Sequence, residues 1–290
     1  MKKAVKFILP FFIIALITYS CSKENEIGEV QTIDYEKIGK EHNLGLEFIF
    51  NELKSKKISI NPKGNNYENF IKETKKASIS FIESSNITNH IDYENSSRIF
   101  ASYDKLANKS INLKRKGVYS EIDPIDEMKN QVELTTLQVK FFDELNQAIS
   151  GIDLTAGLEV TINKIKLIEE KIISDCNEDE KFILLSTTSI ARNSLKYWST
   201  NLEKWINELN ENATSGKSAN FKTFSKSSDW GWFTDTLKSM GKSDVVGGVM
   251  GAAIGSVAAG VGALPGAVAG ACYSSAGRGI VALTEKWGLW

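Results

Sequence analysis

ARNSLKYWSTNLEKWINEL, residues 191–209, sets Ala191, Leu195, Trp198, Leu202, Trp205 and Leu209 four and three residues apart. That alternation lines one side of an α-helix with apolar side chains, a heptad-type seam that wants a partner helix. The chain before it reads the same way. Residues 35–54 carry Ile38, Leu46, Ile49, Phe50 and Leu53 at helical spacing, and Tyr67–Ser84 repeats the pattern with Phe70, Ile71, Ala77 and Phe81. Pro62 and Gly64 punctuate the break between them. Residues 98–112 are a shorter candidate. Asp123-Pro124 reads as an N-cap with proline at the first helical position. It opens a long helix whose face is Ile125, Met128, Val132, Leu137, Phe141, Leu145 and Ala148, ended by Ser150-Gly151. Asp153 is placed to cap the next helix, which runs to about Ser174 through Leu158, Ile162, Ile165, Ile168 and Ile172. Strand-type alternation is sparse, with residues 57–60 as the one short extended candidate. About six helices joined by short polar breaks imply an all-α fold, a helical bundle.

The C-terminal part has a different texture. Residues 210–229 are polar and read as a linker, and residues 245–277 hold no charged side chain. Gly247, Gly251 and Gly255 recur every four residues and Ala259 continues the row; after Leu264-Pro265, Gly266 and Gly270 repeat the spacing, joined by Ser274. Residues four apart share a helix face, and a row of glycines there lets another helix approach closely. The pattern predicts a glycine-zipper hairpin with arms at about 244–260 and 266–283, Asp244 as N-cap and Arg278 near the far end. Trp230, Trp232 and Phe233 precede it, and Trp287 and Trp290 follow. Tryptophan favours the membrane–water interface, which makes these candidate interface anchors. Each helical glycine costs about 1 kcal/mol against alanine in water, so such a row needs close packing to offset it. Each arm is about seventeen residues, or roughly 26 Å, slightly short of the roughly 30 Å hydrocarbon core. Three settings remain open: a hairpin packed on the body, one seated in a membrane, and a membrane-active segment delivered to another cell.

The N-terminus reads as an export signal. Lys2, Lys3 and Lys6 precede the apolar run FILPFFIIALI at 7–17, and Thr18-Tyr19-Ser20 leads into Cys21. The run is about a dozen residues, where a spanning helix needs roughly twenty. The TYSC tetrapeptide resembles a bacterial lipobox, which implies a signal peptide over 1–20, lipidation (palmitate among the acyl chains) of Cys21 and a tether over 21–32. An ordinary signal peptidase site is the alternative. Acyl chains anchor through about 0.8 kcal/mol per buried methylene. Ser22 stands where Asp favours inner-membrane retention, and the run Lys23 to Glu26 resembles the surface-export signal of Bacteroidetes lipoproteins, interrupted by Asn25. The expected location is therefore the bacterial outer membrane or cell surface.

Composition narrows the function. Taking three signal lysines from 35 basic residues leaves 32 against 36 acidic, a net of −4, which argues against a nucleic-acid partner. Once Cys21 is acylated, Cys176 and Cys272 remain, and their spacing does not decide whether they pair. His42 and His90 are the only histidines, and no CxxC or HExxH spacing occurs, so neither a metal nor a cofactor is expected. His42 is a candidate general base with Ser194 or Glu41 as partner, but no Gly-x-Ser-x-Gly elbow or orienting acid accompanies it. A polar contact between helices is the favoured reading of His42. The acidic runs Glu169-Glu170 and Glu178-Asp179-Glu180 read as solvated helix faces or charge at a helix start.

Two local signatures, IGKEHNLGL at 38–46 and ARNSLKYW at 191–198, resemble an uncharacterised set of Bacteroidetes surface lipoproteins that also end in a glycine-rich tail. The resemblance implies location and no activity. Residues 230–290 resemble the glycine-zipper peptides of two-component bacteriocins, which insert paired helices and permeabilise a target. This chain departs from them in size, in its lipid anchor and in lacking a double-glycine leader. The expectation is a non-enzymatic envelope lipoprotein. Its body spans 33–209, and its hairpin, within 230–290, mediates membrane association or helix–helix assembly. The partners would be membrane lipid and a second copy through the zipper. The alternative is a bacteriocin-like or pore-forming antagonism factor.

Overall fold

The computed structural model describes residues 33–58, 67–85, 101, 123–209, 230–256 and 263–286, with the side chains of Tyr67, Trp230 and 280–286 left aside. The signal, Cys21, the tether, the linker, the 98–112 candidate apart from residue 101, His90, Ala259, Trp287 and Trp290 lie outside the described residues, as do residues 59 and 60 of the 57–60 piece, whose Lys57 is in a turn at φ 52°. Among the described residues there are eight helices and no strand: α1 (Tyr35–Ser55), α2 (Tyr67–Ser84), α3 (Pro124–Lys129), α4 (Thr136–Ser150), α5 (Leu158–Asp175), α6 (Glu178–Glu208), α7 (Trp230–Ser256) and α8 (Ala263–Lys286). The fold is the all-α bundle that the apolar periodicity predicts.

Local chemistry sets most of the helix ends. Asp123 accepts a hydrogen bond from the Ile125 N–H at 2.9 Å, with Pro124 at the first turn of α3. The predicted long helix over 125–148 is in fact two helices. Thr135 and Gln138 form a reciprocal capping box that starts α4 afresh, and Asn130 caps the end of α3. The box satisfies two backbone donors locally, so the chain turns at 130–135 although the apolar period carries on across it. Asp153 does not cap α5. Its carboxylate takes the backbone N–H of Thr155 at 2.9 Å, and Gly157, at φ +90°, leads into the helix. Asn177 and Glu180 make a second capping box at the start of α6, where the acidic run 178–180 also suits the helix dipole.

The core is built around α6 and the α7–α8 hairpin. Residues 184–195 of α6 are buried without interruption, as are 243–252 of α7 and 265–277 of α8. A helix buried on every side is covered by other helices all round. Here α7 packs on α8, α6, α3 and α4, while α8 packs on α7, α1, α2 and α6. Phe50, Trp198 and Trp205 stack beside one another at centroid distances of 5.3 and 5.0 Å, joining α1 to α6. From Tyr35 onward the described chain forms one compact unit that includes the hairpin.

The hairpin's arms meet through glycine. A Cβ on Gly251 would run into the Gly266 carbonyl, and one on Gly247 into the Gly270 carbonyl and the Ser274 hydroxyl. The reverse holds for Gly266 and Gly270, and Gly255 lies in the same contact. The zipper rows of the two arms thus face each other, backbone against backbone. One boundary differs from expectation. The first arm starts near Trp230 instead of Asp244, so Asp244 is a mid-helix residue and not an N-cap. Among the described residues, no helix is long and apolar enough to cross a membrane. Trp232 and Phe233 lie half-buried against the core.

Candidate functional site

Where α1, α6 and α7 meet, three side chains with no solvent exposure come together. They are His42, Ser194 and Asp244. Gly39 makes room for this junction, because a Cβ there would strike Ser189 and Asn193 of α6. His42 Nε2 lies 3.2 Å from Asp244 Oδ1. The Ser194 hydroxyl donates to Asp244 Oδ2. On its other side, His42 Nδ1 is 3.1 Å from the Asn43 side-chain oxygen, and Asn43 Nδ2 donates to the Asn193 carbonyl at 3.0 Å. From α8, the Cys272 thiol donates to the His42 carbonyl at 3.3 Å. Burial, and then the nearby Asp244 carboxylate, push the Cys272 thiol well above its usual pKa.

The neighbouring polar contacts also tie the hairpin in. Trp198 Nε1 donates to Ser275 at 2.6 Å, and the Ser274 hydroxyl donates to the Ser243 carbonyl at 2.7 Å across the two arms. At the first arm, Lys242 reaches Asp123 at 2.7 Å, and Asn146 donates to the same carboxylate at 3.0 Å. Tyr197 accepts from Trp205 Nε1 at 3.0 Å and donates to Glu47 at 3.1 Å; burial raises its pKa.

The sequence pairs His42 with Ser194, and the structure brings both to one acid, but not in catalytic order. Nucleophilic catalysis needs the serine hydroxyl to hand its proton to the imidazole, with the acid behind the imidazole. Here the carboxylate stands between the two, Ser194 gives its hydrogen to Asp244, and no solvent reaches the group. The arrangement therefore serves as an internal polar tie. Asp244 is the member that sequence reasoning missed. It lies 50 residues from Ser194, and local rules assign it to a helix end. Among the described residues no three His, Cys, Asp or Glu side chains are grouped to hold a metal ion. Cys176 and Cys272 are free, buried thiols.

A second cluster lies at the surface between α1, α5 and α6. Arg192 donates to Glu36 at 2.7 Å and lies 3.4 Å from Glu169. Burial raises the Glu36 carboxyl, but the Arg192 hydrogen bond and charge outweigh it, leaving the pKa below the usual range. Glu169 is more enclosed, and there burial wins over Arg192 and raises the pKa. Glu169 is thus a packed partner of Arg192 and not a solvated face. A shallow cavity of about 460 Å³ opens beside it, flanked by Lys166, Glu170 and Lys196. The Arg192 guanidinium that lines it is already held by two carboxylates.

Of the residues read from the sequence as helix-packing sites, Gly247, Gly251, Gly255, Gly266 and Gly270 lie on the hairpin seam. Of the candidate interface anchors, Trp230 begins α7, and Trp232 rests against the core. Comparison with known proteins finds no family model, no curated protein and no solved structure that matches this chain.

Proposed function

We propose that this protein is a non-enzymatic bacterial envelope lipoprotein, held at the outer membrane or cell surface through acylated Cys21. In it the glycine-rich hairpin works by helix–helix assembly inside the chain. The observation that carries this reading is the backbone contact of Gly247 and Gly251 with Gly270 and Gly266 inside a shell of amphipathic helices. With those faces occupied, the described glycines of the row are not free to meet a second copy or a bilayer. The export signal and the cysteine that follows it support the location. In the producing bacterium, labelled palmitate should enter the wild-type protein and not Cys21→Ser, and the wild type should sediment with outer membranes. A Cys21→Ser chain that still carries the label, or a wild type that stays soluble, would overturn the anchor.

One observation favours the second reading, membrane-active antagonism. Within the longest charge-free stretch of the chain, 245–277, residues 245–252 and 265–277 are kept away from water. An element stored in this way can act on lipid only after it leaves the body. Dye release from anionic vesicles by the mature protein, compared with a chain ending at Lys226, separates the two readings. Release that needs the hairpin supports antagonism; no release supports the assembly reading.

A further inference from the structure

We propose that His42 and Asp244 hold one proton between them and that this shared proton latches the hairpin to the body. The docked hairpin is then stable in the middle of the pH range and released towards either end. The inference goes beyond the envelope reading and does not depend on acylation at Cys21.

The proton count follows from the hydrogen-bond partners. Asn43 Nδ2 donates to the Asn193 carbonyl, which turns its amide oxygen towards His42 Nδ1 at 3.1 Å. An amide oxygen only accepts, so His42 Nδ1 carries a hydrogen. Ser194 gives its hydrogen to Asp244 Oδ2. That leaves His42 Nε2 and Asp244 Oδ1 3.2 Å apart, neither with a hydrogen-bond partner, in residues with no solvent exposure. A neutral imidazole with its hydrogen on Nδ1 presents a lone pair at Nε2. Two lone pairs at that distance, away from water, repel. One proton placed between them removes the conflict, either as imidazolium and carboxylate or as imidazole and carboxylic acid. The pair is then neutral overall.

Losing that proton leaves a buried carboxylate with Ser194 alone. Gaining a second leaves a buried imidazolium beside an uncharged acid. Either outcome strands a charge in the core, which folded proteins relieve by opening. The surrounding groups do not compensate. From α8 comes the Cys272 thiol, kept protonated by burial and by Asp244, and Glu41 of α1 acts on the same thiol. From α6 come Ser194 and, further along, Tyr197, which is also kept protonated by burial. Two residues along α7, Lys242 is held by Asp123 beside α3. Phe81 of α2 faces Gly45 and adds no charge. The latch joins α1, α6 and α7, so its failure frees the first arm of the hairpin.

Asp244→Asn tests the idea in the mature full-length protein. Its amide can donate to His42 Nε2 and accept from Ser194, keeping the contacts without a shared proton. Cys272 serves as reporter, since it is buried against the His42 carbonyl and becomes accessible when the hairpin undocks. Its modification by dithiodipyridine is located by mass spectrometry and followed against pH. The wild-type rate divided by the Asp244→Asn rate cancels the reactivity of the exposed thiol, because Asp244 acts on Cys272 only while the hairpin is docked. The ratio should be lowest in the middle of the range and climb about tenfold, or ~1.4 kcal/mol, towards both acid and alkali. A ratio that stays flat overturns the latch. Should the variant not fold, nitrogen-15 spectra of the wild type decide the matter, because only two histidines need assigning. His42 should keep a hydrogen on Nδ1 throughout; a neutral ring with its hydrogen on Nε2 alone overturns the proposal.

Discussion

At the residue scale, the chain concentrates its risk in a few buried polar atoms. Truncating one partner of a buried polar pair costs more than the pair contributes, because the other is left uncompensated. His42→Ala should therefore lower the unfolding free energy by about 3–5 kcal/mol in urea at neutral pH, while Asp244→Asn should change it far less. Asp123 has its own pH signature. Burial raises its carboxyl, but hydrogen bonds from Lys242, Asn146 and the Ile125 N–H outweigh that and hold its pKa below the usual range. A depressed carboxyl contributes stability that is complete above its unfolded-state pKa and is lost as pH falls through the folded one. Asp123→Asn should accordingly be less stable than wild type at neutral pH, and the gap should close in strong acid, as read from paired denaturation curves. Little of this was legible beforehand. The sequence offers His42 as a candidate base with Ser194 or Glu41 as partner, but no spacing rule joins positions 42, 194 and 244. What unites them is the crossing of three helices, which only the fold supplies.

At the scale of elements, legibility followed how far each decision is local. Helices α1, α2 and α6 could be read from periodicity because burial of one face dominates their energetics. The break between α3 and α4 was readable in principle from Thr135 and Gln138, yet the run Ile125, Met128, Val132 and Leu137 masks it by keeping helical phase. Thr135→Ala removes the side-chain half of that capping box and should cost about 1 kcal/mol, measurable as a lower urea midpoint. The first hairpin arm was misjudged in the other direction. Residues 230–243 look like a polar, aromatic preface to the glycine row, but they are helical because α3, α4 and α6 offer Leu237 and Met240 a core. The glycine seam makes a sharper prediction. Leucine at 251 meets the Gly266 carbonyl directly, and backbone cannot step aside as a side-chain tip can. Gly251→Leu should lower stability by at least about 1–3 kcal/mol in one cooperative transition shared by far-ultraviolet circular dichroism and tryptophan fluorescence. A separate early loss of the hairpin alone would show that it is not integral to the body.

On the scale of the whole molecule, the hairpin is the filling of the bundle. Its two arms supply Val245, Val246, Val249, Ala267, Val268 and Tyr273 to the same cluster as Phe50, Trp198 and Trp205. A chain ending at Lys226 should therefore lack a cooperative thermal transition and bind a hydrophobic dye such as ANS, because α1 and α6 lose the surface that covers them. The all-α class needed only the apolar period, whereas the nesting of one segment inside the others needed its packing partners, which composition does not name. That nesting also orders events in time. Ribosomes make the shell before its contents. Through most of synthesis, helices α1 to α6 can pack only on one another, and the apolar faces that the hairpin covers stay open. The cell must keep this polypeptide unfolded, or in the hands of a chaperone, until its last sixty or so residues arrive.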